Sequence, residues 1–247
     1  MENNELIRRA EDLFERCRRS GNLTHSGFLT PAERYRIEGW AGHAGARLLF
    51  SGGGPDCERT VAFFLPDWME EYDFDAKEYL TALRITAYYG KPGHRDYMGA
   101  ILGMGVGREW VGDIRVEGEQ AVVFCLPSVL RHLLSIDKVG SVSVKAVEIP
   151  LSDVPPPARQ VKELSFSVMS MRLDAVAAGL FHLSRTEASR QIEAGALSLN
   201  YQECLKPDKL VQQGDVLSLR GSGKGKILGT GGTSRKGRTF VYAEFYV

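Results

Sequence analysis

The chain has 247 residues, 43% apolar and 25% charged, with 31 Lys+Arg against 31 Asp+Glu, an ordinary composition for a soluble globular protein. No apolar stretch reaches bilayer length, and Met1 to Ser20 is charged where a signal peptide would be apolar, so a cytoplasmic protein without membrane attachment is expected. The four cysteines, Cys17, Cys57, Cys125 and Cys204, form no C-x-x-C pair, which favours free thiols over a disulfide frame or a zinc site.

The first predicted element is a charged helix, about Asn4 to Arg19, with Leu6, Ala10, Leu13, Phe14 and Cys17 along one side. Phe28-Leu29-Thr30-Pro31 starts a second helix, with Thr30 as its cap and Pro31 at the first helical position. Arg47 to Ser51 and Thr60 to Leu65 read as strands around the loop Gly52 to Arg59. The acidic run Asp67 to Asp75 ends an N-terminal α/β domain, expected to span residues 1–74.

A second domain is expected at 75–155. Leu80 to Tyr89 reads as a strand, His94 to Leu102 as a helix and Asp113 to Val116 as a strand. A turn at Glu117-Gly118 leads to a strand at Ala121 to Leu126, a helix at Pro127 to Leu134 and a last strand at Ser141 to Ile149. This βαββαβ order is the ferredoxin-like arrangement shared with RNA-recognition motifs. Such motifs carry stacking aromatics on their third strand, whereas Ala121-Val122-Val123-Phe124-Cys125 offers only Phe124, so RNA binding by this sheet is weakly supported.

The prolines of Pro150 to Pro157 read as a linker. Beyond it, residues 158–247 carry 13 Lys+Arg against 8 Asp+Glu, while residues 1–157 carry 18 against 23. Opposite signs in the two parts point the C-terminal one towards a polyanion. Leu173, Val176, Ala177 and Leu180 fall at i, i+3, i+4, i+7, one apolar helical face. Ser184-Arg185-Thr186-Glu187 spells a capping box for a second short helix, which ends at Gly195. Leu197 to Asn200 and Val216 to Arg220 read as strands, with Lys206-Pro207 and the turn Gly214-Asp215 between them. Lys224 and Lys226 sit among glycines ahead of a glycine-rich loop containing Lys236 and Arg238, and Thr239 to Val247 reads as a final strand.

This pattern (Arg172-Leu173-Asp174, Ser184-Arg185, Ala188, Ile192, Gly195, Asn200, Lys206-Pro207, Gly214-Asp215) resembles the S4-like αα-β RNA-binding domain. Many matches at fixed offsets make it far more specific than one short motif. It departs from the family at Tyr201, where Gly usually follows the Asn. The expected domain is 159–247 with its core at 171–228, and the whole chain is an α+β protein. Further landmarks resemble the YlmH-type S4-domain proteins of bacteria: Phe28-Leu29-Thr30, Gly53-Gly54-Pro55, Asp96 to Gly103, Gly112-Asp113-Ile114 and Arg220 to Lys224. That resemblance covers essentially the whole chain. It implies a non-catalytic RNA binder on the large ribosomal subunit carrying a stranded peptidyl-tRNA, in rescue of stalled nascent chains.

The expected RNA contacts are Arg172, Ser184, Arg185, Asn200, Lys206, Arg220, Lys224, Lys226, Lys236 and Arg238. Arginines in the first turn of a helix gain nothing from its dipole and suit an external phosphate. On this reading Arg185→Ala weakens RNA binding and leaves folding little changed. No nucleophile–base pair and no metal-ligand spacing among His25, His43, His94, His132 and His182 stand out, so no enzyme activity, metal or cofactor is expected. Gly232 to Thr239 approaches a P-loop but runs into strand formers instead of a helix. Two other readings stand beside the first. One is an enzyme modifying ribosomal or transfer RNA, with the loop Gly52 to Arg59 as first suspect for its pocket. The other is an adaptor whose acidic N-terminal segment docks a protein of translation or cell division.

Overall fold

The charged N-terminal stretch folds as helix α1 (Glu2–Ser20), and a complete capping box starts helix α2 (Pro31–Ala44). Thr30 Oγ1 accepts from the Glu33 amide at 3.3 Å, and Glu33 Oε2 accepts from the Thr30 amide at 2.7 Å. Strand β1 (Thr24–Leu29) precedes α2, at a segment without apolar alternation that sequence reading leaves unassigned. Pairing makes it a strand. With β2 (Leu48–Ser51) and β3 (Thr60–Phe64) it forms a sheet of order β1-β3-β2. All of β3 is buried and divides by parity. Ala62 and Phe64 meet Ala10, Cys17 and Ile37 of the helices, while Val61 and Phe63 join a different core.

The middle elements are β4 (Thr81–Ala87), α3 (His94–Gly103), β5 (Val111–Glu117), β6 (Gln120–Cys125), α4 (Pro127–Leu133), β7 (Lys138–Val139) and β8 (Val142–Ile149). Their antiparallel sheet has the order β5-β6-β4-β8-β7. This is the expected ferredoxin-like βαββαβ arrangement, with β7 a short addition at its edge. Leu83, Ile85 and Val123 pack with Tyr97, Ile101 and Leu133 of the helices. Ala82, Val122, Phe124 and Ile149 face the other way and pack on Phe28, Val61 and Phe63. The two sheets therefore share a core between them, with a helical layer outside each.

The computed structural model describes residues 2–157, 161–233 and 237–246. Residues Met1–Pro157 form one compact unit and Ala158–Val247 another. All four cysteines are free thiols. No helix among the described residues is long and apolar enough to cross a membrane.

The second unit contains β9 (Val161–Val168), α5 (Leu173–Leu180), α6 (Arg185–Glu193), β10 (Leu197–Leu199), β11 (Gln202–Glu203), β12 (Val216–Leu219), β13 (Gly223–Thr233) and β14 (Thr239–Tyr246). The sheet order is β11-β10-β12-β13-β14-β9. The four apolar positions of α5 are all buried, against Ile192, Leu217, Ile227, Val241 and Ala243. The glycine-rich stretch expected as a loop is instead largely the 11-residue strand β13. Its backbone is paired on both sides, by β12 and β14, which outweighs the poor strand preference of glycine. Lys236 lies outside the described residues.

Asn200 and Tyr201, between β10 and β11, have φ of 50° and 64°. Left-handed conformation at both central residues defines the type I′ hairpin turn, whose second position suits glycine. A tyrosine there is strained by about 1–2 kcal/mol. Tyr201→Gly is therefore expected to stabilise this unit by about 0.5–1 kcal/mol, the relief being partly offset by glycine's greater freedom in the unfolded chain. Chemical denaturation followed by circular dichroism measures it. A loss of stability would mean that the ring, with Lys224 Nζ 6.0 Å from its centroid, contributes more than the strain costs.

Candidate nucleic-acid interface

Two helix starts converge on one carboxylate. Arg172 caps α5, Arg185 opens α6, and both guanidinium groups clamp Asp174. Arg172 Nε and Nη2 donate to Oδ1 and Oδ2, each at 3.2 Å; Arg185 Nε donates to Oδ2 at 3.1 Å and its Nη2 to Oδ1 at 3.3 Å. The Asp174 side chain is 5% exposed, but those of Arg172 and Arg185 are 38% and 55% exposed. Burial alone would raise the Asp174 carboxyl; hydrogen bonds from Arg172 and Arg185, with their charges, outweigh it and hold the group below its ordinary range. Position at the helix starts suits both arginines to an outside anion; the geometry adds Asp174, which holds the two cations side by side with one edge of each outward. Net charge of the trio is positive, and the side-chain order that a phosphate would otherwise impose is already in place.

The Lys206-Pro207 connection closes this site from below. Lys209 and Pro207 carbonyls accept from the Leu173 and Asp174 amides at 2.8 and 2.9 Å, so the first amides of α5 are satisfied within the domain. Lys206 itself is exposed. Ser184 caps α6, accepting from the Glu187 amide at 3.1 Å. The expected return bond is replaced: Glu187 instead accepts from Arg190 Nη1 at 3.3 Å and Gln191 Nε2 at 2.9 Å. Asn200, expected to reach sugar or backbone of RNA, spends its amide inside the fold. Its Nδ2 donates to Asp215 Oδ1 at 2.8 Å and its Oδ1 accepts from the Val216 amide at 2.9 Å. That pins the hairpin turn to the Gly214-Asp215 turn.

The remaining expected contacts lie elsewhere in the same unit. Arg220 is exposed at the end of β12, Arg238 is exposed before β14, and Lys226 is exposed on β13. Lys224 lies on the outer side of β13 with its Nζ 5.1 Å from the Tyr246 ring centroid. Arg172 and Arg185 are thus brought together through Asp174, while Lys224 and Lys226 belong to β13. Asp174 was the missed residue, and its signal was the acidic position between two arginines that no external ligand required.

In the first unit the sheet face on which an RNA-recognition motif stacks bases is covered. Phe124 is fully buried. The loop Gly52 to Arg59 lies against it: a Cβ on Gly53, which has φ +90°, would come within 2.9 Å of Phe124 Cδ1. Arg115 stacks over the same ring at 4.9 Å from its centroid and donates to the carbonyls of Pro55 and Pro155. Asp113 accepts from the Glu58 and Arg59 amides at 2.8 and 3.0 Å. The loop Gly52 to Arg59 in this way joins the two sheets. Burial, with Asp113 adding and Arg115 opposing, pushes the Cys57 thiol up, and burial pushes Cys125 up to about 12, so both thiols stay protonated at neutral pH.

The family described as the putative RNA-binding domain in YlmH matches residues 70–153, and the S4 domain matches residues 171–217. The ribosome-associated protein quality control protein P2 of Bacillus subtilis (strain 168) is 31% identical over 221 residues, 88% of this chain and 85% of that protein. Among solved structures, the cell division protein ylmH from Streptococcus pneumoniae superposes with a TM-score of 0.55 at 19% identity, over 62% of this chain and 94% of that one. At that identity the likeness is one of fold.

Proposed function

Because this chain belongs to the YlmH-type family of S4-domain proteins, we propose that it binds structured RNA on the ribosome, without catalysis, as part of ribosome-associated quality control. The observation that carries the reading is the Asp174-held arginine pair on an S4-like fold. Two cations fixed side by side suit phosphates of a folded RNA and carry little sequence information, so recognition rests on RNA shape. The target on this reading is ribosomal RNA or tRNA of the large subunit carrying peptidyl-tRNA, and the protein works in the cytoplasm. The first unit supports positioning rather than base readout, since its stacking face is buried under the N-terminal sheet. Its exposed run Asp67 to Asp75, with Trp68 69% and Tyr72 85% exposed, suits a basic protein partner.

Sedimentation tests this directly. The protein is expected to travel with large subunits carrying peptidyl-tRNA and much less with vacant ones, and to do so more weakly as salt rises. Residues 158–247 alone are expected to keep most of the affinity. Equal binding by residues 1–157, or a modified nucleotide that disappears on gene deletion and returns with purified protein, would replace this reading by the adaptor or the enzyme.

A further inference from the structure

Alternate residues of a strand face opposite sides of its sheet. Val241 and Ala243 of β14 enter the core, which puts Phe240 and Tyr242 on the outer face, 39% and 46% exposed. Their cross-strand neighbours are small. Tyr242 lies opposite Gly229 on β13 and Ser165 on β9, and Phe240 lies opposite Ser167. Gly231 adds to this: a Cβ there would come within 2.7 Å of Tyr242 Cε2 and 2.9 Å of its Oη. The ring is therefore laid across the glycine backbone with its other side outward. None of these paired neighbours is large enough to cover either ring.

We propose that this outer face of β14 is a stacking platform for two unpaired RNA bases, with Phe240 and Tyr242 as the two seats. The inference rests on the RNA-binding reading above and adds a second kind of contact to it. Residues i and i+2 of a strand stand about 7 Å apart, and aromatics presented this way on open sheets seat successive bases. Cations flank the two rings. Glu244 and Glu163 are paired in the next row of the same face, but Lys226 stands opposite Glu244 on β13, and Arg238 is exposed where β14 begins, so positive charge for phosphate lies at both ends of the platform. An apolar protein partner would need a continuous apolar surface, and here the flanks are glycine, serine and charge. The platform lies outside residues 171–217, the part matched by the S4 domain.

The test uses the full chain and two labelled RNAs, a short oligoadenylate and a stable hairpin, with binding read by fluorescence anisotropy at fixed salt. The double variant F240A/Y242A is expected to bind oligoadenylate about 30-fold more weakly, the lower end for two lost stacks, and the hairpin within about twofold of the parent. Exchanging the rings, F240Y/Y242F, is expected to leave both affinities unchanged, because stacking needs the ring and not the hydroxyl. Oligoadenylate binding untouched in F240A/Y242A, with the hairpin still bound, would overturn the platform and leave the hairpin-binding reading standing. A parent chain that binds neither RNA overturns both. Thermal melts check folding, and a measurement on the parent alone does not depend on it. An oligonucleotide carrying 4-thiouridine is expected to crosslink to the peptide holding Phe240 and Tyr242, and crosslinks confined to other peptides would sink the proposal.

Discussion

Arg59→Ala is expected to lower the unfolding free energy of residues 1–157 by about 3 kcal/mol, a large share of what holds a domain of this size together. The Arg59 guanidinium donates to three backbone carbonyls: Phe28 at 3.0 Å, Arg108 at 2.8 Å and Val111 at 3.1 Å. One belongs to β1 and two to the ferredoxin-like part, so a single side chain ties the two sheets across the gap that β3 leaves. Charged donors are worth about 1.5–3 kcal/mol each, but water can replace the exposed bond to Arg108, which brings the sum down. Arg59→Lys is expected to recover less than half, because a compact ammonium cannot span three carbonyls fixed in space. The measurement is simple because Trp40, Trp68 and Trp110 are the three tryptophans of the chain and all lie before residue 158. Denaturation followed by tryptophan fluorescence reports this unit alone. RNA affinity of the intact chain in native buffer should stay within about twofold, well under 1 kcal/mol. A midpoint unchanged by Arg59→Ala would mean that the shared apolar core alone joins the two sheets.

The parts of this fold that were legible in sequence are those set by neighbours along the chain. Thr30 and Glu33, Ser184 and the Glu187 amide, and the four apolar positions of α5 lie within one or two turns, and each behaves as its spacing demands. The ferredoxin-like order was legible because its strands are regular and its loops short. What escaped depends on partners far away. β1 is a strand only because β3 pairs with it, and β13 overrides five glycines because two strands flank it. Phe124 looked like a meagre stacking residue, and nothing nearby says that Gly53 and Arg115 will cover it. The candidate site followed the same division. The arginines were found from their places at helix starts, whereas their shared carboxylate joins positions 11 residues apart. Phe240 and Tyr242 passed as strand formers, since only the register of β14 shows which side they face.

Asp174→Asn is expected to destabilise the C-terminal unit by about 2–3 kcal/mol at neutral pH and to weaken RNA binding three- to tenfold, about 0.6–1.4 kcal/mol. The stability figure lies below that for a wholly buried pair, because both arginines reach solvent. The pH dependence has a definite sign. The folded carboxyl is held below its unfolded value of about 3.9, so the contribution is fully present above that value and is lost as pH falls through the folded one. Wild type and variant should therefore converge in stability only below about pH 4. Hydrogen exchange of the α5 amides follows the change without tryptophan. Binding separates the positioning role from direct contact. Arg185→Ala removes a phosphate partner, so its logarithmic salt slope should be shallower by about one. Because Arg185 is also one of the two partners of a buried carboxylate, that variant should lose stability too, contrary to the expectation from sequence. Asp174→Asn removes no cation, so its slope should match wild type while its affinity falls. If removing the negative charge tightens binding instead, the carboxylate is competing with phosphate for the arginines and does not present them.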